Sequence, residues 1–187
     1  MKRKLPFLVT MIGVCLLVGC TFYETDKANK VVDVANAAIK DANENLTKGG
    51  QLLVKMEQAV ASIEEDQDLE AARAQAKEAI ATLEKARDKY KESGEKFIEA
   101  SKFKLQDKYK EYLEAKGAEM KKRAEYVDVV IGEPKALLDT ESKADYQAKV
   151  KDVVSKSDAV KKDADDLEAK AKKIQDENKD LFAKETK

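Results

Sequence analysis

Cys20 has the sharpest chemistry open to it of any residue in this chain. It follows Leu17-Val18-Gly19 at the end of an apolar run from Phe7 to Val18, and Lys2, Arg3 and Lys4 precede that run. A cysteine thiolate is a strong nucleophile and can be covalently modified. The only other cysteine, Cys15, lies within the apolar run. Histidine and tryptophan are absent. No Ser-His-Asp triad, no imidazole ligand and no side chain with an ordinary pKa near neutrality is therefore available. Carboxylates abound, but carboxylate-only catalysis needs a cleft, and 7 Gly and 2 Pro in 187 residues supply few loops to build one. Glu64-Glu65-Asp66-Gln67-Asp68 invites a calcium reading. Counted from Asp66, however, the sixth position is Ala71 rather than Gly, and the twelfth is Lys77 rather than Glu. The cluster reads instead as a tight turn in which Asp66 or Asp68 caps the next helix and the acids meet its positive end. No catalysis, no metal and no cofactor is expected.

The charged start, the apolar stretch and Leu17-Val18-Gly19-Cys20 together resemble the signal peptide and lipobox of bacterial lipoproteins. The apolar run is shorter than the roughly 20 residues of a spanning helix. Rival readings of the stretch are an ordinary secretory signal or an uncleaved anchor. The lipobox resemblance implies that Cys20 receives a diacylglycerol, that the leader is cut before it at the unobstructed Gly19 backbone, and that the new amine is acylated. One acyl chain anchors only marginally, at about 0.8 kcal/mol per buried CH₂, whereas two or three hold durably. The implied location is the outer face of a bacterial membrane. Residue 21 is Thr rather than Asp, which by that family's sorting pattern points to the outer membrane where the organism has one.

Residues 1–19 are then the leader, and 20–187 form a single helical domain. Taking Lys2, Arg3 and Lys4 from the 36 basic residues leaves 33 against 37 acidic ones, a net charge of −4. An acidic balance and an extracytoplasmic address argue against nucleic acid as a partner. With Cys15 removed and Cys20 lipidated, no thiol remains for a disulfide or a metal site.

The elements behind the anchor follow from hydrophobic spacing. Val31, Ala35, Ala38, Ala42, Leu46, Gly49, Leu53, Met56, Val60 and Ile63 alternate gaps of three and four, so they share one face of a helix over roughly 24–64. The stripe keeps its phase across Gly49-Gly50, and no capping residue follows, so the helix is expected to continue through both glycines. A second stripe from Leu69 to Ile131 predicts a long helix over roughly 68–131, Ala-rich at first and carrying Tyr90, Phe97, Phe103, Tyr109 and Tyr112 in its middle. Aromatics at helical spacing are expected to be core. Gly132-Glu133-Pro134 is expected to end that helix. A third helix, within roughly 135–185, begins at Pro134 or is capped near Thr140. Its seam is the most regular: Tyr146, Val150, Val153, Ser157, Val160, Ala164, Leu167, Ala171, Ile174, Asn178 and Leu181. Asn178 on that seam is expected to fix register. The pairs Glu92/Lys96, Glu119/Arg123, Asp145/Lys149 and Glu168/Lys172 read as decoration of a solvated face. Phe22 and Tyr23, just after the anchor, either rest at the membrane interface or staple the first helix turn.

Short turns make successive helices antiparallel. The predicted fold is all-α, an elongated antiparallel three-helix bundle or coiled coil. All three helices coincide around 82–110, where a wider interior accounts for the large aromatics. A lipid anchor on Lys/Glu/Ala-rich helices is loosely similar to cell-wall-binding coiled-coil lipoproteins of bacteria. The expected function is a non-catalytic scaffold or interaction module of the envelope, binding protein or peptidoglycan. The alternative is an envelope carrier of an apolar small ligand among the central aromatics.

Overall fold

The structure, a computed structural model, describes residues 23–63 and 69–182. Among them every element is helical: α1 (Thr25–Ala61), α2 (Glu70–Ala100), α3 (Asp107–Leu138), α4 (Lys143–Glu177) and a single turn, α5 (Lys179–Phe182). The all-α expectation holds, but the long helices number four rather than three. Each packs on its neighbours in sequence, antiparallel, while α1 and α3 touch only marginally. The protein therefore has two ends. The start of α1, the α2–α3 turn and the end of α4 lie at the first, and the α1–α2 and α3–α4 connections lie at the second.

α1 buries the expected stripe, with Ala35, Ala38, Ala42, Gly49, Met56 and Val60 withdrawn from water and Ala28 added before them. It continues through Gly49-Gly50 as expected. Leu83 of α2 explains why a glycine stands at 49: a Cβ there would fall 2.5 Å from its Cδ2. α4 matches its seam closely. From residue 146 to 181 the positions shielded from solvent are the eleven named above, and all others are exposed. Beyond its first turn α4 packs mainly on α3, so most of the seam is half-buried.

The predicted helix over 68–131 is broken at 101–106. Neither glycine nor proline stands there. Ser101 Oγ donates to the Ile98 carbonyl at 2.9 Å and closes the end of α2. The groups released by the break are met by Glu24, eighty residues away. Its amide donates to the Lys104 carbonyl at 2.8 Å, and its Oε2 accepts the Lys104 amide at 3.2 Å. Leu105 turns inward, and Asp107 opens α3 as an acidic residue on a positive helix start. The break lets α3 fold back along α2, with Gly94 against Gly117: a Cβ on either would lie 3.1 Å from the other's carbonyl oxygen.

Pro134 does not end a helix; α3 runs on to Leu138. An interior proline costs about 3 kcal/mol through a lost hydrogen bond and a ring clash. Burial offsets that cost. Pro134 and Leu137 are both buried, Leu137 within a cluster of Met56, Val60, Leu69 and Tyr146. The third predicted helix accordingly starts later, at Lys143. Its N-cap is Ser142, whose Oγ accepts the Asp145 amide at 3.2 Å, rather than Pro134 or Thr140. Thr140 is buried in the preceding turn, and Arg73 Nη2 of α2 donates to its carbonyl at 2.6 Å.

Three of the five aromatics are core, as expected, with Tyr90 and Phe97 only 1% exposed and Tyr109 7%, while Phe103 and Tyr112 are half-buried against that core. The reason differs from the predicted overlap of three long helices. Tyr90 and Phe97 belong to one apolar cluster with α1 and α3 residues. Tyr109 and Tyr112 pack with Phe182 of α5, ring centroids 5.5 and 4.7 Å away. Asn178 caps the end of α4, its Nδ2 donating to the Ile174 carbonyl at 2.7 Å, so it stops the helix rather than setting register.

Candidate functional site

Leu17, Val18, Gly19 and Cys20 lie outside the described residues, as do Phe22 and the Glu64–Asp68 cluster. Tyr23 is the first residue described, and it is 47% exposed. No helix among the described residues is long and apolar enough to cross a membrane, and no group of three or more acidic or cysteine side chains is arranged to hold a metal.

The most developed polar site lies at the second end, where α1, α3 and α4 converge. A cleft of about 530 Å³ opens there, lined by Glu57, Val60, Glu133, Lys143, Tyr146 and Val150 among others. α3 places Glu133 in it because Pro134 stays helical. The first turn of α4 brings Tyr146 over it, and the phenol donates to Glu133 Oε1 at 3.0 Å. Lys143 reaches back to the end of α1 and donates to the carbonyls of Ala61 and Ile63 at 3.1 and 3.2 Å. The Ala61 carbonyl is at the end of α1, where it has no partner inside the helix, and Ile63 lies just beyond.

Burial raises the Glu133 carboxyl to about 7, the neighbouring Glu57 adds to the rise, and the Tyr146 hydrogen bond opposes it. Burial and the Glu133 carboxyl likewise raise the Tyr146 phenol. Glu57 lines the same cleft, and a second carboxyl group close by disfavours the charged form of Glu133. The site therefore carries a carboxylic acid that exchanges its proton near neutrality, inside a partly apolar cleft. It can donate to, or accept from, a polar group on a bound partner. Sequence reasoning missed it because Gly132-Glu133-Pro134 was expected to be a turn.

A second polar cluster joins α3 to α4. Glu119 is 1% exposed, and it accepts from Lys116 Nζ at 2.6 Å and Arg123 Nε at 2.8 Å. Arg123 Nη2 continues to Glu168 at 2.9 Å. The Glu119/Arg123 pair was expected on a solvated face. Glu119 is interior, and Arg123 half-buried, because α3 is covered by α2 on one side and α4 on the other. Of the other expected pairs, Asp145/Lys149 forms at 3.5 Å. Glu92 instead meets Lys89, Lys96 meets Glu99, and Lys172 meets Asp176. With all its charges paired, the Glu119 cluster reads as a clamp between helices.

No protein-family model matches the chain, and comparison with curated proteins and with solved structures finds no significant similarity.

Proposed function

We propose that the protein is a lipid-anchored, non-catalytic protein of the bacterial cell envelope, whose helical body acts as a scaffold or interaction module toward protein or cell wall. One observation carries the reading: Leu17-Val18-Gly19-Cys20 closes a charged and apolar leader, and α1 begins only five residues after that cysteine. The body also suits the role. Its helices pack through apolar seams within one chain, and their outward positions are charged. The cleft around Glu133 offers a partner polar groups partly withdrawn from water. The rival reading, a carrier of an apolar ligand among the central aromatics, draws less support, since Tyr90 and Phe97 are occupied as core.

Metabolic labelling with a fatty acid tests the anchor. The wild type takes up label and Cys20→Ala does not. Equal labelling of the two overturns the assignment. A pull-down with the lipidated protein from detergent-solubilised envelopes then seeks the partner.

A further inference from the structure

The two ends of the body differ in their distance from Cys20. Tyr23 sits at the first end, and Glu24 is hydrogen-bonded there to Lys104 of the α2–α3 turn at 2.8 Å, so the start of α1 is fastened to that turn. Tyr23 lies three positions after Cys20, and a fully extended chain spans at most about 3.6 Å per residue. Whatever path the chain takes, Tyr23 stays within about 11 Å of the Cys20 backbone, and the rest of the first end is packed beside it.

That end presents groups suited to a headgroup layer. Tyr23 is 47% exposed and amphipathic, a side chain favoured at membrane interfaces. Lys102 and Lys104 are exposed on either side of half-buried Phe103 at the tip of the turn. Asp107 and Asp180 share the end, so its charge is mixed. The tether, rather than a basic patch, selects it. The flanks are poorer candidates for lying on lipid. Their large exposed apolar residues are Val34 and Val54 on α1 and Val154 on α4. Val34 and Val54 are twenty residues apart, which at 3.6 residues per turn puts them on opposite sides of the helix. They form no strip that a bilayer surface could cover. The net charge of −4 after residue 19 also opposes flat contact with anionic lipid.

We propose that the Tyr23/Lys102/Lys104 end is the face apposed to the bilayer, and that the body stands away from it, holding the Glu57–Glu133–Tyr146 cleft outward. The proposal rests on the lipid-anchor reading and gives it a direction. Glu57 lies 32 residues beyond Thr25 along α1, about 48 Å at 1.5 Å per residue. A partner of the cleft is then met at that height above the lipid, beyond the headgroups, and the body works as a spacer as well as a scaffold.

Site-specific fluorescence quenching tests this. The full lipidated chain is made with either Lys102→Cys or Ser62→Cys, one substitution at each end. Each variant is labelled on the new thiol, checked for unchanged helical circular dichroism, and reconstituted into phosphatidylethanolamine/phosphatidylglycerol vesicles carrying a headgroup-attached quencher. The expected result is quenching several-fold stronger at 102 than at 62. Equal quenching at both positions means that the body lies flat, and quenching at neither, in protein that floats with the vesicles, means that the end points away; either overturns the orientation. Failure of the anchor reading is distinguishable: the protein then does not float with the vesicles, or the thiol of Cys20 itself takes the dye, and the proposal falls with that reading.

Discussion

Leu83 of α2 occupies the space that a side chain on Gly49 of α1 would need, its Cδ2 and Cγ standing 2.5 and 2.7 Å from a Cβ built there. Gly50, the next residue, has nothing within 4 Å of the same position. Both glycines are inside α1, where Ala is favoured over Gly by about 1 kcal/mol. Gly50→Ala is therefore expected to stabilise the protein by up to about 1 kcal/mol. Gly49→Ala must displace fully buried Leu83, and overpacking of this kind costs about 1–3 kcal/mol. Opposite shifts of the denaturant midpoint for these neighbouring substitutions are the expected outcome. A gain at both would mean that α2 yields freely at Leu83.

Phe97 is 1% exposed in the main apolar cluster. Phe97→Ala is expected to cost about 3–5 kcal/mol, the range for deleting a buried aromatic ring. Glu92, on the same helix, makes only a partly exposed ion pair with Lys89 at 2.7 Å. Glu92→Ala is expected to change stability by no more than about 0.5 kcal/mol. Urea unfolding of the two variants measures the contrast, and a loss below about 1 kcal/mol at Phe97 would contradict the burial of its ring.

Glu133 gives stability a definite pH dependence. Its carboxyl titrates at about 7 in the fold, against an ordinary value of 4.5. Between those values the native state holds a proton that the unfolded chain has released. Stability therefore falls as pH rises from about 4.5 to about 7 and stays lowered above that. Glu133→Gln keeps the shape, can still accept from Tyr146, and has no proton to lose. It is expected to melt higher than the wild type at pH 8 and to differ little at pH 5. A gain of about 1 kcal/mol corresponds to roughly 2–4 °C for a chain of this size. Parallel slopes of melting temperature against pH in the two proteins would show that Glu133 is not the titrating group.

Glu119 is buried between α3's two neighbours and accepts from both Lys116 and Arg123. Its replacement by Ala is expected to cost about 1.5–3 kcal/mol, the range for hydrogen bonds to charged groups. Lys162–Asp166 has a similar separation, 2.7 Å, but both its side chains are well exposed. Asp166→Ala is expected to cost less than about 0.5 kcal/mol. Thermal melts in low and high salt separate the two cases further, because salt screens the exposed pair more than the buried one.

Local spacing was enough to read much of this fold. The seam from Tyr146 through α4 to Leu181 of α5, and the α1 stripe through Gly49-Gly50, could be placed residue by residue, because the side chains of one helix face recur every three or four positions whatever lies opposite. Tyr90 and Phe97 could be recognised as core on the same ground. The candidate site was not legible. It needs Glu57, Glu133 and Tyr146 from three helices, and the clue nearest to it, Pro134, pointed to a turn.

Alone, the sequence determined the helical class and which faces are apolar. Those depend on residue types and on intervals of a few positions. The tertiary structure decided where the helices stop. The break at 101–106 is stabilised by Glu24 from eighty residues away, and the helix survives Pro134 because Leu137 finds a pocket between α1, α2 and α4. It also decided which carboxyls leave water: Glu119 because α3 is covered on both sides, Glu133 because Glu57 and Tyr146 converge on it. In each case a local cost of order 1–3 kcal/mol is offset by contacts made only after distant segments meet.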